Sequence, residues 1–110
     1  MTIQDILDLK LCRELTTSAT DRKISKIFCC DLLSIAMSKA PADAVWVTVM
    51  GNKNTLAVAT LTDIACIILA EGVSFEDADI AKASEEGITV LSTDMPVFDM
   101  ALAVHEAGNL

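Results

Sequence analysis

One histidine, His105, and four cysteines, Cys12, Cys29, Cys30 and Cys66, are the side chains best equipped for chemistry. Nucleophilic catalysis needs a nucleophile, a base and a group that orients the base. No local spacing supplies that set around His105. Zinc and iron–sulfur sites want closely spaced ligand pairs, and the chain has no C-x-x-C. Cys29 and Cys30 are adjacent, and on a strand such neighbours point to opposite faces. The cysteines therefore read as reduced, small apolar side chains, and no metal or cofactor is expected. Phosphate loops of the forms G-x-x-x-x-G-K-S/T and G-x-G-x-x-G are absent. Gly51-Asn52-Lys53-Asn54-Thr55 follows an apolar run and precedes an alanine-rich one. Its backbone amides could receive an anion at a helix start, or the residues could simply make the turn.

These residues must be positioned by regular elements. Thr2-Ile-Gln-Asp5 has capping-box spacing and predicts a helix over 3–10. A brief strand over 11–15 and a polar loop over 16–22 follow. Residues 24–30 start mixed and end apolar, as a strand entering a core would. Asp31 is placed to cap a helix that stops before Pro41. Val45-Trp-Val-Thr-Val49, Ile67-Ile-Leu69 and Ile88-Thr-Val-Leu91 are uncharged runs, the mark of strands covered on both faces. Between them, 55–65 and a segment from Ser74 to Glu86 predict helices, the second opened by a capping-box spacing and closed at Gly87. Ser92-Thr93-Asp94 is placed to cap a last helix over about 95–107, with Pro96 in its first turn. Strands alternating with helices predict a single α/β domain over 1–110, with a mainly parallel sheet flanked by helices.

Composition narrows the function classes. Apolar residues make up 53% of 110, and aromatics only 4%, so the core is aliphatic and a disordered chain is excluded. Residues 1–55 hold 7 Lys/Arg and 6 Asp/Glu, whereas 56–110 hold Lys82 alone against 10 acids, for a net charge of −8. Nucleic-acid binding needs clustered positive potential, so no nucleic-acid partner is expected. The most apolar stretch, 55–70, is interrupted by Asp63 and falls short of the ~20 residues that a membrane span needs. The opening Met-Thr-Ile-Gln-Asp lacks the basic and apolar regions of a secretory leader. A cytoplasmic protein with no membrane partner is the expectation.

Asp21-Arg22-Lys23-Ile24-Ser25, Phe28-Cys-Cys-Asp31-Leu-Leu-Ser34, Trp46-Val-Thr48, Asn54-Thr-Leu-Ala-Val-Ala59 and Leu91-Ser-Thr-Asp94 together resemble a DRTGG domain. The likeness runs over nearly the whole chain and is to the stand-alone DRTGG proteins of bacteria. It implies a fold related to the N-terminal domain of HPr kinase/phosphorylase, whose P-loop lies in another domain. It also implies a regulatory role: DRTGG domains occur inside CBS-domain pyrophosphatases, where neighbouring CBS modules bind adenine nucleotides. Ser25 stands in place of the motif threonine, and Lys26 and Ile27 stand where its two glycines would be. Paired glycines let a ligand or another backbone approach closely, a freedom that Ile27 removes.

The function expected is therefore a non-catalytic regulatory or ligand-sensing domain. A protein-binding scaffold and a small phosphotransferase are the alternatives. Ligands of open α/β sheets gather beyond the carboxyl ends of the strands, near a topological switch point. Three turns should converge there: Asp31 to Ser34; Gly51, Asn52, Lys53, Asn54 and Thr55; and Ser92, Thr93 and Asp94. Arg22 would add a positive charge if the motif loop folds over them. Mixed charges favour a neutral or nucleotide-like small molecule over bare phosphate. Mean hydropathy of +0.50 and an uncharged helix over 56–61 with apolar residues on more than one side point to a homodimer.

Overall fold

The uncharged runs become the middle of a sheet. A computed structural model, describing residues 1–110, places β3 at Val45–Thr48, β4 at Cys66–Leu69 and β5 at Thr89–Ser92, with every residue of the three buried. Two shorter strands complete it, β1 (Arg13–Thr16) and β2 (Ile27–Cys29). The helices are α1 (Ile3–Asp8), α2 (Leu33–Lys39), α3 (Lys53–Thr62), α4 (Asp77–Glu86) and α5 (Val97–Gly108). None is long and apolar enough to cross a membrane.

The strand order is β1-β5-β4-β3-β2. Strands β2 to β5 are parallel, and β1 joins β5 antiparallel. Each crossover therefore steps in the same direction, and right-handed crossovers then lay α2, α3 and α4 on one face. Alternate strand residues divide accordingly. Trp46, Ile67, Leu69 and Val90 pack with Ala36, Leu56 and Ala83 of those helices. Val45, Val47, Ile68 and Leu91 pack with Ile3, Ile6, Met100 and Val104 of α1 and α5 on the other face.

Several local expectations are corrected. The strand predicted over 24–30 shrinks to Ile27–Cys29, because Lys23 bridges Thr2 and the amide of Ile24 donates to the carbonyl of Met1. The last helix starts at Val97, not Met95, and Ser92, Thr93 and Asp94 do not cap it. Ser74 does not cap α4; its hydroxyl donates to the carbonyl of Phe75, and Glu76 takes the N-cap position. The helix predicted over 55–65 instead runs from Lys53 to Thr62 because Asn52 caps it, whereas Gly87 ends α4 as expected, in the left-handed region at φ +71°. No reversal of strand order occurs among the parallel strands, so the expected switch point is absent. Helix α3 buries Leu56, Val58 and Ala59 against the sheet and leaves Leu61 exposed.

Candidate functional site

At the carboxyl edge of the sheet the turns after β2, β3, β4 and β5 lie side by side. The first holds Asp31, expected as a helix cap. Instead its Oδ1 accepts from the Thr48 hydroxyl at 2.7 Å and from the Val49 amide at 3.1 Å. The carboxylate thus ties the end of β2 to the end of β3, and α2 starts with Leu32 at its N-cap and no side-chain cap. Ser34 is exposed in the first turn of α2.

In the second turn Asn52 Oδ1 accepts from the amides of Asn54 (2.9 Å) and Thr55 (3.2 Å). Two donors that could have met an anion are therefore already engaged. The Thr55 hydroxyl is buried and donates to the carbonyl of Met50 at 2.7 Å, while Lys53 is exposed. Gly51 is required by packing: a Cβ there would lie 2.7 Å from both the Ser74 carbonyl oxygen and Val73 Cγ1. The turn after β4 crosses at that point.

The sequence closes β4 at Gly72, but this third turn is not among the three expected to converge. Glu71 and Gly72 have φ of +60° and +75°. Their amides donate to the carbonyls of Met95 and Thr93 at 3.0 and 2.9 Å, joining the turn to the one after β5. Glu71-Gly72 directly after an apolar run was the available signal.

In the fourth turn the candidate hydroxyls serve the fold. Ser92 donates to the carbonyl of Val73 at 2.9 Å and accepts from Arg13 Nη2 at 3.2 Å. Thr93 donates to the carbonyl of Leu11 at 2.8 Å and accepts from the Met95 amide at 3.2 Å. Asp94 faces the guanidinium of Arg13, 3.4 Å away, as an exposed ion pair. Lys10, Leu11, Arg13, Thr93, Asp94 and Met95 border an open depression of about 310 Å³. Arg13 and Lys10 had no signal in the sequence, since their place depends on β1 docking against β5.

Arg22 does not join this edge. It lies beside the turns that enter β3 and β4, at the amino ends of the strands. Its Nε and Nη2 donate to Asp43 Oδ1 at 3.1 and 2.8 Å, and Nη2 also reaches Asp63 Oδ1 at 3.0 Å and the Asp63 carbonyl at 2.8 Å. Both aspartates hold left-handed backbone, with φ of +63° and +58°.

The thiols are poorly prepared for nucleophilic work. Burial pushes Cys12 up to about 11, with Arg13 pulling slightly the other way. Burial, with a smaller contribution from Cys12, raises fully buried Cys66 as well. Cys29 is raised by burial and then by the Asp31 carboxylate. The thiolate is the attacking form, so all three are held in the unreactive state near neutrality. His105 directs Nδ1 at the Leu110 carbonyl.

A pH dependence follows from these shifts. An unfolded thiol loses its proton near the ordinary value of 9.0, but folded Cys12 keeps it until about 11. The folded state then binds more protons between these values, so stability is full below pH 9 and falls as pH rises through 11. Thermal melts in reducing buffer should show Tm dropping above about pH 9. Cys12→Ala should lessen that drop; an unchanged profile would remove Cys12 as its source.

No family model matches the sequence. No curated protein is similar enough in sequence to count as a relative. The structure, however, superposes on a crystal structure of the CBS and DRTGG domains of the regulatory region of a Clostridium perfringens pyrophosphatase, complexed with its activator diadenosine tetraphosphate. The TM-score is 0.77 at 14% identity, over 96% of this chain. The fold is DRTGG-like. The chain spans 46% of the length of that structure.

Within the DRTGG-like fold, the motif residues acquire positions. Arg22 is the tie between the turns before β3 and β4. The two positions where the motif has glycines fall at the entry to β2: the Lys26 carbonyl accepts from the Val45 amide at 2.9 Å, and Ile27 packs on the α5 side. Neither residue has a positive φ, so this DRTGG-like fold does not need glycine's conformational freedom at either place.

Proposed function

We propose that residues 1–110 form one DRTGG-like regulatory domain, non-catalytic and cytoplasmic, that senses a nucleotide-like small molecule as a homodimer. The observation that carries this reading is the fold shared with a regulatory region bound to a nucleotide activator. The carboxyl edge is the proposed receiving surface. Lys53 and Arg13 offer cations for phosphates, while Asp31 and Asp94 offer acceptors for ribose hydroxyls. Gly51 and Gly72 keep the backbone low between them. The hydroxyls of Thr55, Ser92 and Thr93, and the amides of Asn54 and Thr55, support these turns from below. Ser34 and Asn52 border them. Arg22, on the opposite edge, has a structural role.

Thermal-shift titration with diadenosine tetraphosphate and ATP tests the sensor. A ligand at 100 times its Kd adds about 2.7 kcal/mol of stability. Lys53→Ala should weaken binding at least about tenfold, near 1.4 kcal/mol, with the Tm of the free protein unchanged. Thr93→Val should do the reverse, lowering stability while leaving affinity alone. Affinity untouched by Lys53→Ala would move the site elsewhere. ATP turnover by purified protein that disappears in Asp31→Ala would replace the sensor with a small phosphotransferase.

A further inference from the structure

The two edges of the sheet are finished differently. At one edge β1 carries Arg13 and Glu14, both exposed, and charges of this kind discourage pairing with another strand. At the other edge β2 is Ile27-Phe28-Cys29, without a charge, a proline or a bulge. Its pairing with β3 settles which backbone groups are free. Ile27 lies opposite Val45 and Cys29 opposite Val47, with the Lys26 carbonyl accepting from Val45. In a parallel ladder this turns the amides and carbonyls of Phe28 and its neighbours at 26 and 30 inward. Those of Ile27 and Cys29 point outward, and no group of the chain bonds them.

Apolar surface flanks this bare edge on both layers. Ile27, Cys29, Phe98, Leu102 and Leu110 line an open groove of about 340 Å³ between β2 and α5. Phe98 is 69% exposed and Leu102 39%, while α2 on the other face leaves Leu32 at 55% and Ile35 at 43%. These four side chains offer roughly 400 Å² of apolar surface, about half of what each partner gives to a standard stable interface. Covering a strand edge and its backbone supplies more.

We propose that β2 and the groove beside α5 form a two-fold interface with a second copy of this chain. The strand is self-complementary in one antiparallel register. Ile27 of each copy faces Cys29 of the other, and both pairs exchange their outward amide and carbonyl bonds. Phe28 lies on the axis, as a closed isologous contact requires. Phe98 from each α5 closes over the other copy's groove, and the two sheets become one. This inference rests on the homodimer in the proposed function and names its surface.

Sedimentation equilibrium combined with amide hydrogen exchange tests it. The wild type should sediment at twice the 11.7 kDa protomer mass, with the Ile27 and Cys29 amides protected. Phe98→Asp, an exposed change in the first turn of α5 that should fold normally, should raise the dimer Kd by at least about thirtyfold, as hot-spot losses do, and free both amides to exchange. Leu61→Asp on α3 should leave the dimer intact. A wild-type monomer at micromolar concentration would overturn both the dimer and its surface. A dimer with unprotected Ile27 and Cys29, or one dissolved by Leu61→Asp and not by Phe98→Asp, would overturn the surface and leave the dimer standing.

Discussion

Trp46→Ala should lower the unfolding free energy by about 3–5 kcal/mol, the range for emptying a large aromatic site in a core. Trp46 is the largest fully buried side chain. It fills the space between the sheet and the layer of α2, α3 and α4, and meets Phe28 with ring centroids 6.2 Å apart at 57°. Its indole N–H also donates to the Cys30 carbonyl at 2.9 Å. That bond anchors the residue just before Asp31, so the loss should reach the carboxyl edge as well as the core. Trp46→Phe should recover most of the packing, losing the hydrogen bond, worth about 1 kcal/mol. Urea titration followed by circular dichroism is the measurement, since Trp46 is the chain's one tryptophan. A loss below about 1 kcal/mol in the alanine variant would mean the neighbouring helices close the gap.

Arg22→Ala should cost about 2 kcal/mol, above the usual yield of an exposed ion pair. Three physical features raise it. The guanidinium is only 29% exposed, it holds two carboxylates and one carbonyl at once, and both aspartates sit in left-handed backbone. Its removal leaves Asp43 and Asp63 facing each other without a cation, beside the amide of Asp43 that already donates to the Asp63 carbonyl at 2.9 Å. Arg22→Lys should regain less than half, because a single ammonium cannot reproduce the planar fork. Because this cluster lies at the amino ends of the strands, neither change should alter affinity for the nucleotide proposed to bind at the opposite edge. Chemical denaturation at low and high salt reads the first claim, and ligand titration the second. A loss within about 0.5 kcal/mol would reduce the cluster to surface decoration.

The elements that could be read from the sequence are those decided by residues close in the chain. An uncharged β-branched run such as Val45-Trp-Val-Thr48 can satisfy itself only between two apolar layers. Thr2 and Asp5 bond reciprocally across one helical turn, and Asn52 reaches amides two and three residues ahead. Gly87 ends α4 because it takes a positive φ without a Cβ clash. Each of these is settled by sterics and hydrogen bonding within a few residues, whatever the rest of the chain does.

The roles that the sequence left open depend on partners far away. Asp31 has capping chemistry, but Thr48 and Val49, 17 and 18 residues on, claim its carboxylate. Arg13 meets Asp94 across 81 residues, and Arg22 meets Asp63 across 41. Ser92 and Thr93 were legible as hydrogen-bonding residues at a strand end; that they serve Val73 and Leu11 was not. A polar side chain takes the strongest partner within reach, and reach is set by strand order. The placement of β1 beside β5 and of β2 at the opposite edge is a choice among sheet arrangements with nearly the same local pattern. Only the packing of both layers at once selects among them, so the turn after β4 and Arg13 at the carboxyl edge, and the bare edge at Ile27–Cys29, belong to the tertiary structure alone.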